Sequence, residues 1–215
     1  MITGKKAVIF DFDGTLVDSL WVWDRLDELY LTPRGIEIPK DFQQNLGGMS
    51  IKETASYYKE YFDLSDDPSE ILAEWRNLIH EIYIKSILFK DSGKDLLLNL
   101  YDKGYLLGLG TSNDRTIVED YLALHGVKDC FSSIHTTSEV GKSKPYPDIF
   151  LRVLSDFSLE KEDCIVIEDT YEGVMGAKNA GIEVIAIKDP YHFTRTDDIA
   201  READFLIESL SELAY

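Results

Sequence analysis

The sequence predicts an α/β fold: a doubly wound, Rossmann-like parallel-sheet core carrying an inserted α-helical cap. Two observations predict it. Short apolar runs of strand length alternate with helical patterns, and each run is apolar on both faces, as in strands covered by helices on both sides. One long stretch, residues 17–88, breaks that rhythm and shows only helical periodicity. It is far longer than the ~10–15 residues a βα crossover requires. The expected division is therefore a core of residues 1–16 and 89–215 and a cap of residues 17–88.

The elements follow in chain order. Ala7-Val8-Ile9-Phe10 is a buried strand ending at Asp11. Within the insert, the clearest helix opens at Asp67-Pro68-Ser69-Glu70, with an N-cap, Pro at the first position and Glu at the third. Ile71, Leu72, Trp75, Leu78, Ile79, Ile82 and Tyr83 then recur at helical spacing. Tyr105-Leu106-Leu107-Gly108-Leu109 is a second strand, ending at Thr111. Asp114 to His125 is a helix with Ile117, Val118, Tyr121 and Leu122 on one face and Gly126 as its stop. Pro145 and Pro147 open another through Ile149, Phe150, Val153 and Leu154. Ile165-Val166-Ile167 is a third strand, ending at Glu168-Asp169. A helix from Tyr171 to Ala180 stops at Gly181 before a fourth strand, Val184 to Ile187. Phe205-Leu206-Ile207 is a candidate fifth. The polar residues stand at the strand ends, where open parallel sheets bind ligands.

Composition narrows the classes. Hydrophobic residues make up 44% and aromatic residues 12% of the 215, enough for a core and too many for a disordered chain. Lys and Arg total 22 against 40 Asp and Glu, a net charge of −18. Such a surface repels nucleic acid and anionic lipid, so neither is an expected partner. Cys130 and Cys164 form no disulfide framework or metal spacing, and a buried thiol is expected at Cys164. The apolar run before Asp11 is too short for a signal segment, and none approaches the ~18 residues needed to cross a bilayer. A soluble protein of the reducing cytoplasm is expected.

The strongest chemical signal is Asp11-Phe12-Asp13-Gly14-Thr15 at the end of the first strand. Two like charges about 4 Å apart repel by ~4 kcal/mol at an effective dielectric near 20, so a cation is called for. Magnesium with oxygen ligands is the candidate. Thr111-Ser112-Asn113 ends the second strand and reads either as an anion site or as an ordinary N-cap. Gly141-Lys142-Ser143-Lys144-Pro145 offers lysines to a phosphate or forms a solvated basic turn. Glu168-Asp169 completes a metal shell or caps the helix behind it. Two nucleotide motifs fail on inspection: Asn113 stands where a dinucleotide fingerprint needs its third Gly, and Thr136 where a P-loop needs its first. His80, His125, His135 and His192 have no metal or triad spacing and read as structural or surface residues.

Taken in order, these motifs resemble the haloacid dehalogenase superfamily of phosphotransferases, over nearly the whole chain. The branch resembled is that of the phosphoglycolate phosphatase and β-phosphoglucomutase-like hydrolases, whose helical cap interrupts the core after the first strand. The resemblance implies Asp11 as a nucleophile forming an aspartyl-phosphate and Asp13 as general acid and base. It implies magnesium held by the carboxylates of Asp11 and Asp169 and the backbone carbonyl of Asp13, with Glu168 supporting. Thr111 and Lys144, helped by Ser112, Asn113 and Gly14 backbone groups, would bind the transferring phosphoryl group. The superfamily's dehalogenases lack the second Asp, so Asp13 favours phosphate chemistry.

Two departures bear on substrate. Trp23 stands where the phosphoglucomutases carry a hinge histidine, and Ile51 follows Gly48-Met49-Ser50 where they carry an arginine. Trp23-Asp24 is either a feature shared with some sugar-phosphate phosphatases or cap packing. The function expected is a magnesium-dependent phosphatase of a small phosphorylated metabolite, with sugar phosphates among the candidates. A sugar phosphomutase using Asp11 is the alternative. From another class, the rivals are a phospho-acceptor module and a non-catalytic phospholigand-binding protein.

Overall fold

A computed structural model describes residues 1–46, 49–190 and 195–213, with 43 and 44 by backbone alone; Gly48 and His192 lie outside the described residues. The first apolar run forms β1 (Ala7–Phe10), which is followed by the short β2 (Val17–Asp18). Three helices make the insert: α1 (Trp21–Leu31), α2 (Ile51–Tyr61) and α3 (Pro68–Ser86), after which β3 (Leu88–Phe89) returns the chain to the core. The core continues through α4 (Gly93–Asp102), β4 (Leu106–Thr111), α5 (Arg115–Leu124) and β5 (Phe131–Thr136). Next come α6 (Thr137–Val140), α7 (Asp148–Phe157), β6 (Cys164–Glu168) and α8 (Tyr171–Ala180). The last elements are β7 (Glu183–Ile187), α9 (Thr196–Glu202) and β8 (Phe205–Ile207).

The core strands form one six-stranded parallel sheet in the order β5-β4-β1-β6-β7-β8. Side chains alternate across it, as a pleat requires. Val8 and Phe10 join Leu96, Leu97 and Leu100 of α4 and Ile117 and Val118 of α5 on one face. Ala7 and Ile9 join Ile149, Phe150 and Val153 of α7 and Val174 and Ala177 of α8 on the other. Helices that follow β1 and β6 thus cover opposite faces, which opens a crevice at the carboxyl ends of these neighbours. The register fixes what faces it. Phe10 lies opposite Leu109 on one side and Ile167 on the other, so Asp11 falls level with Gly110 and Glu168. The Asp11 N–H donates to the Ile167 carbonyl at 2.9 Å.

The insert is helical, with one correction at its ends. Residues 17–88 were expected to hold no strand, yet Val17 pairs with Phe89 and Asp18 with Leu88 in an antiparallel ribbon. Strands of two residues carry no period, so nothing in the sequence marks them. The insert has its own aromatic centre. Trp75 is buried edge-on against Tyr58 (4.6 Å, 78°) and Tyr30 (5.7 Å, 86°). Both α2 and α3 start with a capping box, Ser50 with Glu53 and Asp67 with Glu70.

Two further details differ from the sequence reading. The strand β5 had no apolar run to announce it, because Phe-Ser-Ser-Ile-His-Thr is an edge strand with polar positions. Pro147 occupies the N-cap position of α7, and Pro145 lies ahead of the helix. The described histidines are structural or superficial: His80 pairs with Asp120, His135 with Asp156, and His125 packs on the Tyr121 ring. Cys130 and Cys164 are both buried thiols, and burial pushes Cys164 up to about 11. Among the described residues, no helix is long and apolar enough to cross a membrane.

Candidate active site

The end of β1 places Asp11, and the chain then turns at Gly14. That glycine has φ +76°, and a Cβ on it would lie 2.2 Å from Asp169 Oδ2. Only glycine permits both the conformation and the approach. Asp11, Glu168 and Asp169 are all buried, and each offers a carboxylate oxygen within 4.8 Å of the others. Thr15 donates to Asp169 Oδ1 at 3.1 Å.

Lys144, from the loop between α6 and α7, is the cation at this cluster. It is 5% exposed, lies 2.6 Å from Asp11 Oδ1 and donates to Glu168 Oε1 as well. Burial alone would lower its pKa, but Asp11 and Glu168 outweigh that and hold it above its ordinary value. Burial pushes Asp11 well above the usual carboxylate range. Lys144 opposes the shift, while Glu168 and Asp169 add to it. Three carboxylates against one ammonium leave negative charge in excess. The donors are all hard oxygens, so a divalent cation of the magnesium type fits the set.

Glu168 has other work. Its Oε2 accepts from the Asp169 N–H (3.0 Å), the Thr170 N–H (3.1 Å) and the Thr170 hydroxyl (3.0 Å). A Cβ on Gly173 would lie 1.9 Å from its carboxyl carbon, so α8 approaches this side chain as only glycine allows. The cap of α8 is Thr170, whose hydroxyl accepts from the Gly173 N–H at 3.0 Å. The acidic pair is thus not the cap.

Asp13 is held from three sides. Its Oδ1 accepts from Ser19 at 2.6 Å and from the Tyr83 hydroxyl, and its Oδ2 from the Asn113 amide at 2.8 Å. Burial raises its pKa, and these three bonds offset part of the rise. Tyr83 comes from α3 of the insert, with its ring stacked on Phe12 at 6.1 Å.

Asn113 was expected to serve phosphate. Here its amide nitrogen donates to Asp13 and to the Tyr83 oxygen (2.9 Å), and its N–H donates to the Thr111 hydroxyl (3.0 Å). Its donors engage Asp13, Tyr83 and the turn, and the residue still lines the cavity. Lys142 lies over the Tyr146 ring at 4.9 Å.

Asp11, Asp13, Thr111, Ser112, Asn113 and Lys144 all line one cavity of about 170 Å³, while Glu168 and Asp169 join it through the carboxylate cluster. Sequence reasoning did not single out Tyr83, Ser19 or Thr15 for this site. Ser19 and Thr15 follow the Asp-x-Asp pair closely enough to have been suspected, but Tyr83 looked like any core position of an amphipathic helix. The insert is latched onto the core at several points. Ile51 N–H donates to the Ser112 carbonyl (3.3 Å), Arg76 pairs with Asp114 (2.7 Å), and Ser143 bonds Glu53.

The family model for haloacid dehalogenase-like hydrolases matches residues 8–187. The bifunctional riboflavin kinase/FMN phosphatase of Arabidopsis thaliana is 30% identical over 200 residues, which cover 91% of this chain and 52% of that protein. The chain therefore spans about half the length of that relative. The probable pseudouridine-5'-phosphatase of Drosophila melanogaster is 29% identical over 191 residues, covering 85% of this chain and 81% of the relative. Among solved structures, CbbY from Rhodobacter sphaeroides in complex with phosphate has a TM-score of 0.87 at 23% identity, covering 98% of this chain and 96% of that one. A mutant of the same protein has been solved with xylulose-(1,5)bisphosphate. At that identity the likeness is one of fold.

Proposed function

The chain belongs to the haloacid dehalogenase-like hydrolases, and from that premise we propose that it is a magnesium-dependent phosphatase of a small phosphorylated metabolite, working through an aspartyl-phosphate on Asp11. The observation that carries the proposal is a convergence. Two aspartates one residue apart, a buried lysine, a threonine at a strand end and a carboxylate cluster all meet at one cavity. That relatives bear the names of phosphatases supports the same reaction class.

In this reading Asp11 attacks the phosphoryl group, with its carboxylate oriented by Lys144. Thr111, Ser112 and Lys144 hold the phosphoryl oxygens. Asp13 gives a proton to the leaving oxygen and then takes one from the attacking water. Ser19, Tyr83 and Asn113 fix its position for both steps. Asp11, Asp169 and the Asp13 carbonyl would hold magnesium, which supplies charge neutralisation to the phosphoryl oxygens. The latched insert keeps bulk water away. Trp23 and Ile51 in place of the histidine and arginine of the phosphoglucomutases favour release of phosphate over its return to a sugar.

The roles of the two aspartates separate cleanly. Asp11→Asn should form no phosphoenzyme. Asp13→Asn should lose ~10²–10⁴-fold in turnover, yet with an aryl phosphate, whose leaving group needs little protonation, it should release about one phenol per site in a burst. Mass spectrometry after an acid quench should find one phosphoryl group on Asp11. A label on another residue, or two kinetically indistinguishable variants, would overturn the assignment.

A further inference from the structure

The cavity has two unlike walls. Of its polar groups, Asp11, Asp13, Thr111 and Ser112 come from the strand ends of the core, and Lys144 from the loop between α6 and α7. The wall facing them comes from the insert and its entry, and is made by Leu20, Trp23, Leu46, Met49 and Ile51. Thr54 is the polar side chain on that side, and its hydroxyl donates to the Ser50 carbonyl at 3.1 Å within the first turn of α2. Lys144 is the only lysine or arginine among the described lining residues, and Asp11 and Glu168 engage it. None of the residues outside the description is a lysine or arginine, so no such side chain is hidden there.

This wall decides what can leave. A second phosphate on the substrate would be turned toward apolar side chains with no cation to pair it, and a desolvated unpaired charge is strongly disfavoured. The net charge of −18 adds a general penalty to each further negative charge. Hydroxyls of a polyol would lose water and gain few partners on that wall among the described residues. An apolar group would instead bury its surface against Trp23, Met49 and Ile51. The cavity, of about 170 Å³, must serve the phosphoryl group and what is attached to it, so the attached group has to be compact.

We infer that the substrate is a compact ester carrying a single phosphate and an apolar leaving group, aromatic or short aliphatic, chosen by Trp23, Met49 and Ile51. This rests on the phosphatase reading above and adds the substrate class to it. The chemistry balances as a hydrolysis. The ester P–O bond breaks as the Asp11–phosphorus bond forms, and the leaving alkoxide takes the Asp13 proton. Water then displaces Asp11 at phosphorus and returns a proton to Asp13, giving an alcohol and inorganic phosphate.

The test compares kcat/KM for benzyl phosphate, glycerol phosphate and xylulose bisphosphate, with p-nitrophenyl phosphate as a gauge of bare phosphatase activity. Benzyl alcohol and glycerol are primary alcohols of similar acidity, so a difference between their esters reports the pocket. Benzyl phosphate should lead glycerol phosphate by about tenfold to a hundredfold, the range in which apolar pockets discriminate, and the bisphosphate should trail both. Trp23→Ala should lose about tenfold on benzyl phosphate through KM, and several-fold less than that on glycerol phosphate. Met49→Arg should narrow the gap by raising the bisphosphate. Equal rates, or a preference for the polyol or bisphosphate in the unaltered protein, overturn the inference while p-nitrophenyl phosphate is still hydrolysed. If no ester releases phosphate, the phosphatase reading fails and takes the inference with it. The ranking in the unaltered protein decides the matter even where a variant does not fold.

Discussion

Tyr83 is buried on the longest helix of the insert, yet its hydroxyl donates to Asp13 on the core. A hydrogen bond to a charged group is worth about 1.5–3 kcal/mol, and here it fixes the residue proposed to move the proton. Tyr83→Phe keeps the ring on Phe12 and removes only that bond. Its expected effect is a fall in kcat of about tenfold to a hundredfold with KM little changed. Steady-state kinetics beside a thermal melt would check this, since a purely structural role would lower the melting temperature and leave kcat alone. The residue scale is also where the sequence was most and least informative. Asp11 and Asp13 were legible because carboxylates at the end of a buried strand have no packing reason to be there. Tyr83 was hidden because a tyrosine at core spacing has every packing reason. The partners of the Asn113 amide, Asp13 of the core and Tyr83 of the insert, lie far from it in sequence and left no mark there.

Among the elements, the sheet edge shows how polar strands are held. Arg115 at the start of α5 donates to both carboxylate oxygens of Glu139 in α6, to Glu119 one turn along, and to the Ile134 carbonyl of β5. One guanidinium thus ties three elements together, a geometry that suits its planar fork. The pair holds the Glu139 carboxyl well below its ordinary 4.5, at about 2. A carboxyl depressed in the folded state stabilises the protein fully above its unfolded pKa and loses that contribution as pH falls through the folded one. With side chains 36% and 40% exposed, solvent screening keeps the effect to about 1 kcal/mol. Glu139→Gln should therefore lower the urea midpoint near neutral pH, and the gap should begin to close below about pH 4.5. A gap unchanged down to about pH 3 would contradict the ion pair as its cause. Elements buried on both faces were legible from their apolar runs. The strand β5 was not, because an edge strand held by Arg115 and by the His135–Asp156 pair needs no such run. The two-residue ribbon of β2 and β3 was not, because it is too short to have a pattern.

At the scale of the whole molecule, the sequence disclosed a parallel core and a helical insert, and it put the candidate site at the carboxyl end of the sheet. It did not disclose how the insert sits on the core, because Arg76–Asp114 and Glu53–Ser143 join residues whose neighbours in sequence give no hint of each other. Within the core, Asp11, Glu168 and Asp169 lie together out of water with Lys144 beside them. Such a cluster is consistent with a metal site. Magnesium binding to the folded state alone should stabilise it by ~2.7 kcal/mol at about a hundred times its dissociation constant. At roughly 2–4 °C per kcal/mol for a chain of this size, the melting temperature should rise by about 5–10 °C, and EDTA should reverse the rise and abolish phosphate release. Asp169→Asn sharpens the test. It removes one of the three carboxylates and relieves part of the repulsion that pushes Asp11 upward, so without metal the variant should melt no lower than the unaltered protein. The magnesium-dependent rise should vanish in it, together with activity. A variant that still gains several degrees from magnesium would mean that the ion binds elsewhere, and the carboxylate cluster would have to be explained without it.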